Sequence, residues 1–137
     1  MYDAALFDLF GTLVTEQGDA IEGAMLILER LPPARWAIVT SCPRRFADAL
    51  LERCGLPRPD VIICSDDVRR GKPAPDCYLL AASQLKVRPS TCVAIEDSAP
   101  GVDAARAAGM DVVNVRETPL RNVALDVGSG GRLRLRC

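Results

Sequence analysis

Apolar residues in this chain fall into two kinds of segment: short uninterrupted runs, and longer stretches where they return every three or four positions. The short runs predict five strands, Ala4–Asp8, Trp36–Thr40, Val61–Cys64, Thr91–Ile95 and Asp111–Val115. The longer stretches predict helices between them. The first runs from Ala20 to Leu31 with Ile21, Met25, Leu28 and Leu31 facing inward, and Pro32-Pro33 stops it. The second runs from Pro43 to Arg53, with Phe46, Ala49 and Leu50 on its buried side and Gly55 just past its end. A third follows the polar connection SDDVRRGKPAP and ends near Leu85, burying Tyr78, Leu79, Ala82 and Leu85; the fourth, Ala99–Ala108, ends at Gly109.

The strands are apolar almost throughout rather than alternating, which a parallel sheet covered by helices on both faces requires. The expected fold class is therefore α/β, a three-layer Rossmann-like sandwich with a five-stranded parallel sheet. A length of 137 residues suits one domain spanning 1–137. The tail from Arg121 to Cys137 breaks the rhythm. There Gly128, Gly130 and Gly131 separate Val123–Val127 from Leu133–Leu135, predicting a small hairpin or an edge strand.

Composition narrows the function classes. An apolar fraction of 49% and a charged fraction of 26% exclude a disordered chain. With 17 basic and 18 acidic residues the net charge is -1, so nothing draws the protein as a whole to nucleic acid or to an anionic membrane. Any anionic ligand has to be captured locally. No apolar run is long enough to span a bilayer, and the opening MYDAALFDLF has no basic flank or cleavage pattern; the expectation is a cytoplasmic protein. Six cysteines are scattered singly, without a CxxC pair, and read as small, buried thiols in a reducing compartment. The absence of His removes the commonest general base and leaves acid–base work to Asp, Glu, Lys, Tyr or Cys.

Ligands of an open parallel sheet bind beyond the carboxyl ends of its strands. Asp8 stands at the first of these ends, Thr40-Ser41 at the second, Lys72 in the loop after the third, and Glu96-Asp97 at the fourth. Each has an ordinary structural alternative: a solvated turn for Asp8, a helix cap for Thr40-Ser41, a basic surface loop for Lys72, and a favourable helix dipole for Glu96-Asp97. Together they describe a pocket. Carboxylates that meet without counter-charge repel each other and lose hydration, and a hard divalent cation such as Mg2+ resolves that conflict. Asp8 then serves as nucleophile and metal ligand, with Lys72, Thr40 and Ser41 binding phosphoryl oxygens, so that covalent phosphoryl transfer proceeds without His.

At these residues the chain resembles the haloacid dehalogenase superfamily, in its branch of beta-phosphoglucomutase and small phosphosugar phosphatases. FDLFGTLV resembles the first motif, usually DxDGT; AIVTS the second; RRGKPAPDCYLLAA the third; and CVAIEDSAPGVDAARAAGMDVV the fourth. The resemblance covers residues 4–15 and 21–115 with the motifs in order. It implies that Asp8 is the nucleophile and a metal ligand, that the Phe10 carbonyl is a second ligand, and that Thr40 binds phosphate. It further implies that Lys72 bridges phosphate and nucleophile, and that Asp97 holds Mg2+ directly with Glu96 beside it.

Two departures from the family pattern shape the functional expectation. Phe10 stands where phosphatases place a second Asp that protonates the leaving group and activates water. The helical cap that ordinarily separates the first two motifs is missing, because only TEQGDA, residues 15–20, fills that interval. The leading expectation is a Mg2+-dependent phosphohydrolase working through an aspartyl-phosphate on Asp8, acting on a phosphorylated small molecule or on a phosphoryl group exposed on a larger substrate. A non-catalytic binding or regulatory domain, including a homo-oligomer closed through the uncapped face, is the first alternative. A haloacid dehalogenase is the second, since halide departure needs no proton.

Overall fold

The computed structural model describes residues 1–137. A five-stranded parallel sheet forms its centre from β1 (Ala4–Phe7), β2 (Trp36–Val39), β3 (Val61–Ile63), β4 (Cys92–Glu96) and β5 (Asp111–Asn114), in the spatial order β3-β2-β1-β4-β5. The expected α/β sandwich is present. The chain winds outward from β1 to β3 and returns to lay β4 beside β1, so the order reverses between β1 and β4. Ala4 to Phe7 pair in register with Cys92 to Ile95, which brings the residues after both strands side by side. That reversal point is where doubly wound sheets bind ligands.

Successive strand residues face opposite layers. On one side Ala5, Phe7, Trp36, Ile38, Val93 and Ile95 pack under α1 (Ala24–Leu28) and α2 (Arg44–Cys54), with Phe7 and Trp36 edge to face at 5.9 Å between ring centroids. On the other, Ala4, Leu6, Ala37, Val39 and Ala94 meet α3 (Asp76–Leu85) and α4 (Ala99–Ala107) through Ala81, Ala82, Ala104 and Ala105. Small side chains in that layer let both helices lie close to the strands.

The first helix is much shorter than the apolar spacing predicts. The Ile21 N–H donates to the Leu13 carbonyl, and Ala20 bridges Val14, so the chain is held in a turn until Gly23. Gly23 begins the helix at φ 96, and a Cβ there would lie 2.7 Å from Arg121 Cα. Ala24, Ile27 and Leu28 face inward, while Met25 is 41% exposed. Helix α2 is likewise rotated from its expected stripe: Ala47 and Leu51 are buried, Phe46 is 52% exposed, and Phe46 carries the Arg45 guanidinium over its ring. In α3, Cys77, Tyr78, Ala81 and Ala82 face the sheet and Leu79 faces out.

The tail forms an antiparallel hairpin of β6 (Ala124–Val127) and β7 (Leu133–Arg136), separate from the main sheet. It is not an edge strand of that sheet. Leu125 and Leu133 nonetheless enter the same core as Phe7 and Trp36, and Leu133 bridges Tyr2. All six cysteines are free; Cys64, Cys77 and Cys92 are buried and Cys137 is exposed. No helix is long and apolar enough to cross a membrane.

The hairpin's place in the core sets its energetic weight. Leu125→Ala is expected to destabilise the protein by about 2–5 kcal/mol, the range for a truncated buried leucine, in urea unfolding followed by circular dichroism. Val127→Ala, at a position 47% exposed on the same strand, should change it by less than about 0.5 kcal/mol.

Candidate active site

Asp8 directly follows β1, and its N–H donates to the Ile95 carbonyl at 3.0 Å, so the ladder with β4 continues through it. Its side chain is almost fully buried. Lys72 Nζ donates to Asp8 Oδ1 at 2.9 Å, to Glu96 Oε1 at 2.6 Å and to the Val39 carbonyl at 2.9 Å. Three protons meet three acceptors, and the ammonium is itself buried to within 5% exposure. The loop carrying Lys72 thus brings a charge from beyond β3 back across the ends of β2, β1 and β4.

Glu96 has no exposure at all, and Tyr78 Oη donates to its Oε1 at 2.5 Å. Gly101 makes room for it, because a Cβ there would stand 2.1 Å from the Glu96 carboxylate. Gly11 does the same for Asp97: its absent Cβ would fall 2.1 Å from Asp97 Oδ2, and its φ of 83 suits glycine. Thr12, fully buried, stands between the two aspartates with its hydroxyl 3.1 Å from Asp8 Oδ2 and 3.4 Å from Asp97 Oδ1.

Asp8, Phe10, Thr40, Ser41, Lys72 and Asp97 line one open cavity of about 400 Å³, within the size range of small-molecule sites. Glu96 lies beneath that surface, clasped by Lys72 and Tyr78, and is not among its lining residues. Thr40 Oγ accepts the Cys42 N–H at 3.1 Å, which leaves its own proton free to donate. The amides of Phe10 and Ser41 have no acceptor within the chain, and neither does the Phe10 carbonyl have a donor. The start of α2 contributes less than its position suggests, since the Arg44 N–H is already bonded to Asp66 Oδ1 at 2.9 Å.

Residues 15–20 do not reach this cavity. They form a tight turn, with Thr15 N–H bonded to the Asp19 carbonyl, and Gly18 packs against Arg53 and Leu50 of α2. The pocket therefore has no lid where a helical cap would be inserted.

The model of the haloacid dehalogenase-like hydrolases matches residues 16–109. The chain belongs to that family. Hexitol phosphatase A of Escherichia coli K12 is 42% identical over 113 residues, covering 79% of this chain and 52% of the relative. Validoxylamine A 7'-phosphate phosphatase of Streptomyces hygroscopicus is 42% identical over 101 residues, covering 72% and 47%. A haloacid dehalogenase family hydrolase from Deinococcus radiodurans R1, crystallised with phosphate and sodium, superposes with a TM-score of 0.72 at 26% identity over 81% of this chain and 79% of that one. The chain spans about half the length of the curated relatives it matches.

The electrostatics of this haloacid dehalogenase-like site fit a cation. Carboxylate oxygens of Asp8, Glu96 and Asp97 lie within 4.8 Å of one another, and Lys72 is the only positive side chain among them. Burial pushes the Asp8 carboxyl up to about 7; Lys72 opposes the shift, and Glu96 adds to it. Burial would lower Lys72, but Asp8 and Glu96 outweigh it and hold the ammonium above its usual range. Burial and Glu96 together keep the Tyr78 hydroxyl protonated, its pKa well above that of an ordinary tyrosine. Negative charge thus exceeds what the chain itself neutralises, and Phe10, whose carbonyl has no donor within the chain, lines the same cavity.

Of the site residues expected from the sequence, Asp8, Phe10, Thr40, Ser41, Lys72 and Asp97 line the cavity, and Glu96 lies buried beneath it. Sequence reading missed Thr12 and Tyr78. Thr12 was visible only as part of FGT, and Tyr78 was assigned to an apolar helix face, which its ring does occupy while its hydroxyl reaches Glu96.

The raised Asp8 pKa has a measurable consequence for metal-free protein. Folded Asp8 keeps its proton up to about 7 whereas the unfolded chain loses it near 3.8, so stability falls as pH rises between those values. Thermal midpoints recorded with a chelator across that interval should decline more for wild type than for Asp8→Asn. Added Mg2+ should raise the wild-type midpoint more at pH 8 than at pH 5, because it binds the deprotonated carboxylate.

Proposed function

We propose that this chain is a Mg2+-dependent phosphohydrolase core that forms an aspartyl-phosphate on Asp8. The observation that carries the reading is the floor of the pocket: a buried carboxylate 2.9 Å from a buried ammonium, with Asp97 and free backbone groups alongside. Both curated relatives reported above are phosphatases, and the Deinococcus structure holds phosphate, which supports the same chemistry. In this reading Asp8, the Phe10 carbonyl and Asp97 hold the Mg2+ ion, which supplies positive charge to the phosphoryl oxygens. Glu96 serves from beneath, fixing Lys72 rather than facing the cavity.

The chain's own groups account for the first half of the reaction. Thr12 and Lys72 orient the two oxygens of Asp8, so one can approach phosphorus without losing the other's hydrogen bond. Thr40 Oγ–H and the Phe10 and Ser41 amides offer neutral donors to the phosphoryl oxygens. As the bond from Asp8 to phosphorus forms, the bond to the leaving oxygen breaks. Phe10 has no proton to give that oxygen, and the open cavity leaves bulk water as its source. Loss of a positioned acid–base group costs about 10²–10⁴-fold, most of all for alkoxide leaving groups.

Halide chemistry has less to support it. Lys72 is the one cation lining the cavity and is bonded to three acceptors, so a substrate carboxylate has no clamp there.

The test is phosphate release from an aryl phosphate. It should require Mg2+ and disappear in Asp8→Asn, and Phe10→Asp should raise the rate on an alkyl phosphate by about 10²–10⁴-fold. Release that persists in a folded Asp8→Asn variant rejects the reading.

A further inference from the structure

Phe10 removes an acid–base group from both halves of the reaction, and the halves do not suffer alike. Forming the bond to Asp8 needs a proton only if the leaving group is basic. Releasing phosphate from Asp8 bonds a water oxygen to phosphorus as the bond to Asp8 breaks, and the water's proton has to leave for a base or for solvent, a transfer that a positioned base speeds by about 10²–10⁴-fold. The structure provides no substitute for that second task. Lys72 has its three protons committed to Asp8, Glu96 and the Val39 carbonyl. Glu96 is fully buried and accepts from both Lys72 and Tyr78. Asp97 shares the Thr12 hydroxyl with Asp8 and belongs to the proposed cation site. What remains at the cavity wall is the Thr40, Ser41 and Ser98 hydroxyls and the Cys42 thiol, with no further carboxylate and no imidazole to take the water's proton.

We propose that Asp8 is a phosphoryl acceptor for acyl phosphates, and that the phosphorylated protein is a long-lived state rather than a fleeting intermediate. The inference rests on the reading of Asp8 as nucleophile and adds to it both a donor class and the fate of the adduct. In the forward step an Asp8 oxygen bonds to phosphorus as the bond between phosphorus and the acyl oxygen breaks. The electron pair departs with the donor's carboxylate, which needs no proton near neutral pH. One mixed carboxylic–phosphoric anhydride is consumed and one is made, so the transfer is near thermoneutral and needs no other reactant. Donor excess drives it.

The pocket suits this exchange. It is open, so a carboxylate product leaves without a lid having to move. The phosphoryl group on Asp8 has the Thr40 hydroxyl and the free Phe10 and Ser41 amides for donors, the same ones that stabilise the incoming group. Water reaches it freely, yet no side chain takes the water's proton. Hydrolysis is then limited by the missing base and not by access.

Incubating the 137-residue chain with acetyl phosphate and Mg2+, then removing the donor by rapid gel filtration, tests this by intact mass and peptide mapping. Wild type should gain one phosphoryl group, mapped to Asp8, and lose it about 10²–10⁴-fold more slowly than Phe10→Asp. Asp8→Asn should gain none. Circular dichroism of each variant confirms folding. Equal decay in wild type and Phe10→Asp, an unlabelled wild type, or a label elsewhere than Asp8 overturns the proposal. If wild type turns acetyl phosphate over rapidly without accumulating label, the inference fails and the hydrolase reading stands. If neither wild type nor Phe10→Asp is labelled or releases phosphate, the hydrolase reading fails with it.

Discussion

One buried ammonium holds this site together. Lys72 lies between Asp8 and Glu96, with the end of β2 supplying its third acceptor, and none of these groups would be stable at its depth alone. Breaking the cluster at any member leaves a charge in a poorly solvated place, which is the costly failure of buried ion pairs. The fold converges on this point because parallel strands all end at the same edge. Glycine at positions 11 and 101 then creates the space into which Asp97 and Glu96 fit. Positive charge is still short of negative among Asp8, Glu96, Asp97 and Lys72, which is the imbalance a cation would relieve.

The strands and the pocket residues were legible in the sequence, the strands because they depend on local, strongly constrained chemistry. Five apolar runs gave five strands with boundaries displaced by a residue or so; β1, β2 and β4 are buried on both faces and admit little else, while β5 at the sheet edge leaves Asp111 exposed. Asp8, Lys72 and Asp97 were legible for another reason: each has an ordinary use alone, but their place in the chain brings all of them to the same end of the sheet. Helix faces were read less well. Phe46 and Leu79 are large and apolar and were placed inside, but the smaller Ala47 and Cys77 are buried near them. Proximity of β-strands and helices favours small residues there, so size misled where spacing alone could not decide. The first helix failed for a different reason: hydrogen bonds from Ile21 to Leu13 hold its expected first turn in another shape, and no pattern of apolar residues reports a contact of that kind.

Tyr78 shows how a residue can satisfy two readings. Its ring belongs to the alanine-rich core layer, as the helical spacing indicates, while its hydroxyl closes the charge cluster from below. A buried phenol needs a partner, and Glu96 is the acceptor within reach. Such a contact joins positions in a helix and a strand that the chain keeps apart, so only the folded arrangement reveals it.

Under the proposed reaction, Phe10 is tolerable because the backbone and the side chain at that position have separable duties. Its backbone is fixed by its neighbours: the Val14 N–H bonds to the Leu9 carbonyl and the Gly11 N–H to the Val14 carbonyl, which leaves the Phe10 amide and carbonyl both unengaged at the cavity wall. Those groups exist whatever side chain is attached. The side chain alone decides whether a proton can be moved. In the proposed reaction, a side chain there without a carboxylate leaves the fold and the two backbone groups intact, and would selectively slow steps that need an acid or a base. A lid has its own bearing on that balance, since excluding water strengthens every charge in the pocket and gives a positioned acid its advantage over solvent. With no lid in this fold, Lys72 and Asp8 keep their strength at the cavity floor by burying all but 5% and 9% of their side chains, while Glu96 lies wholly beneath it.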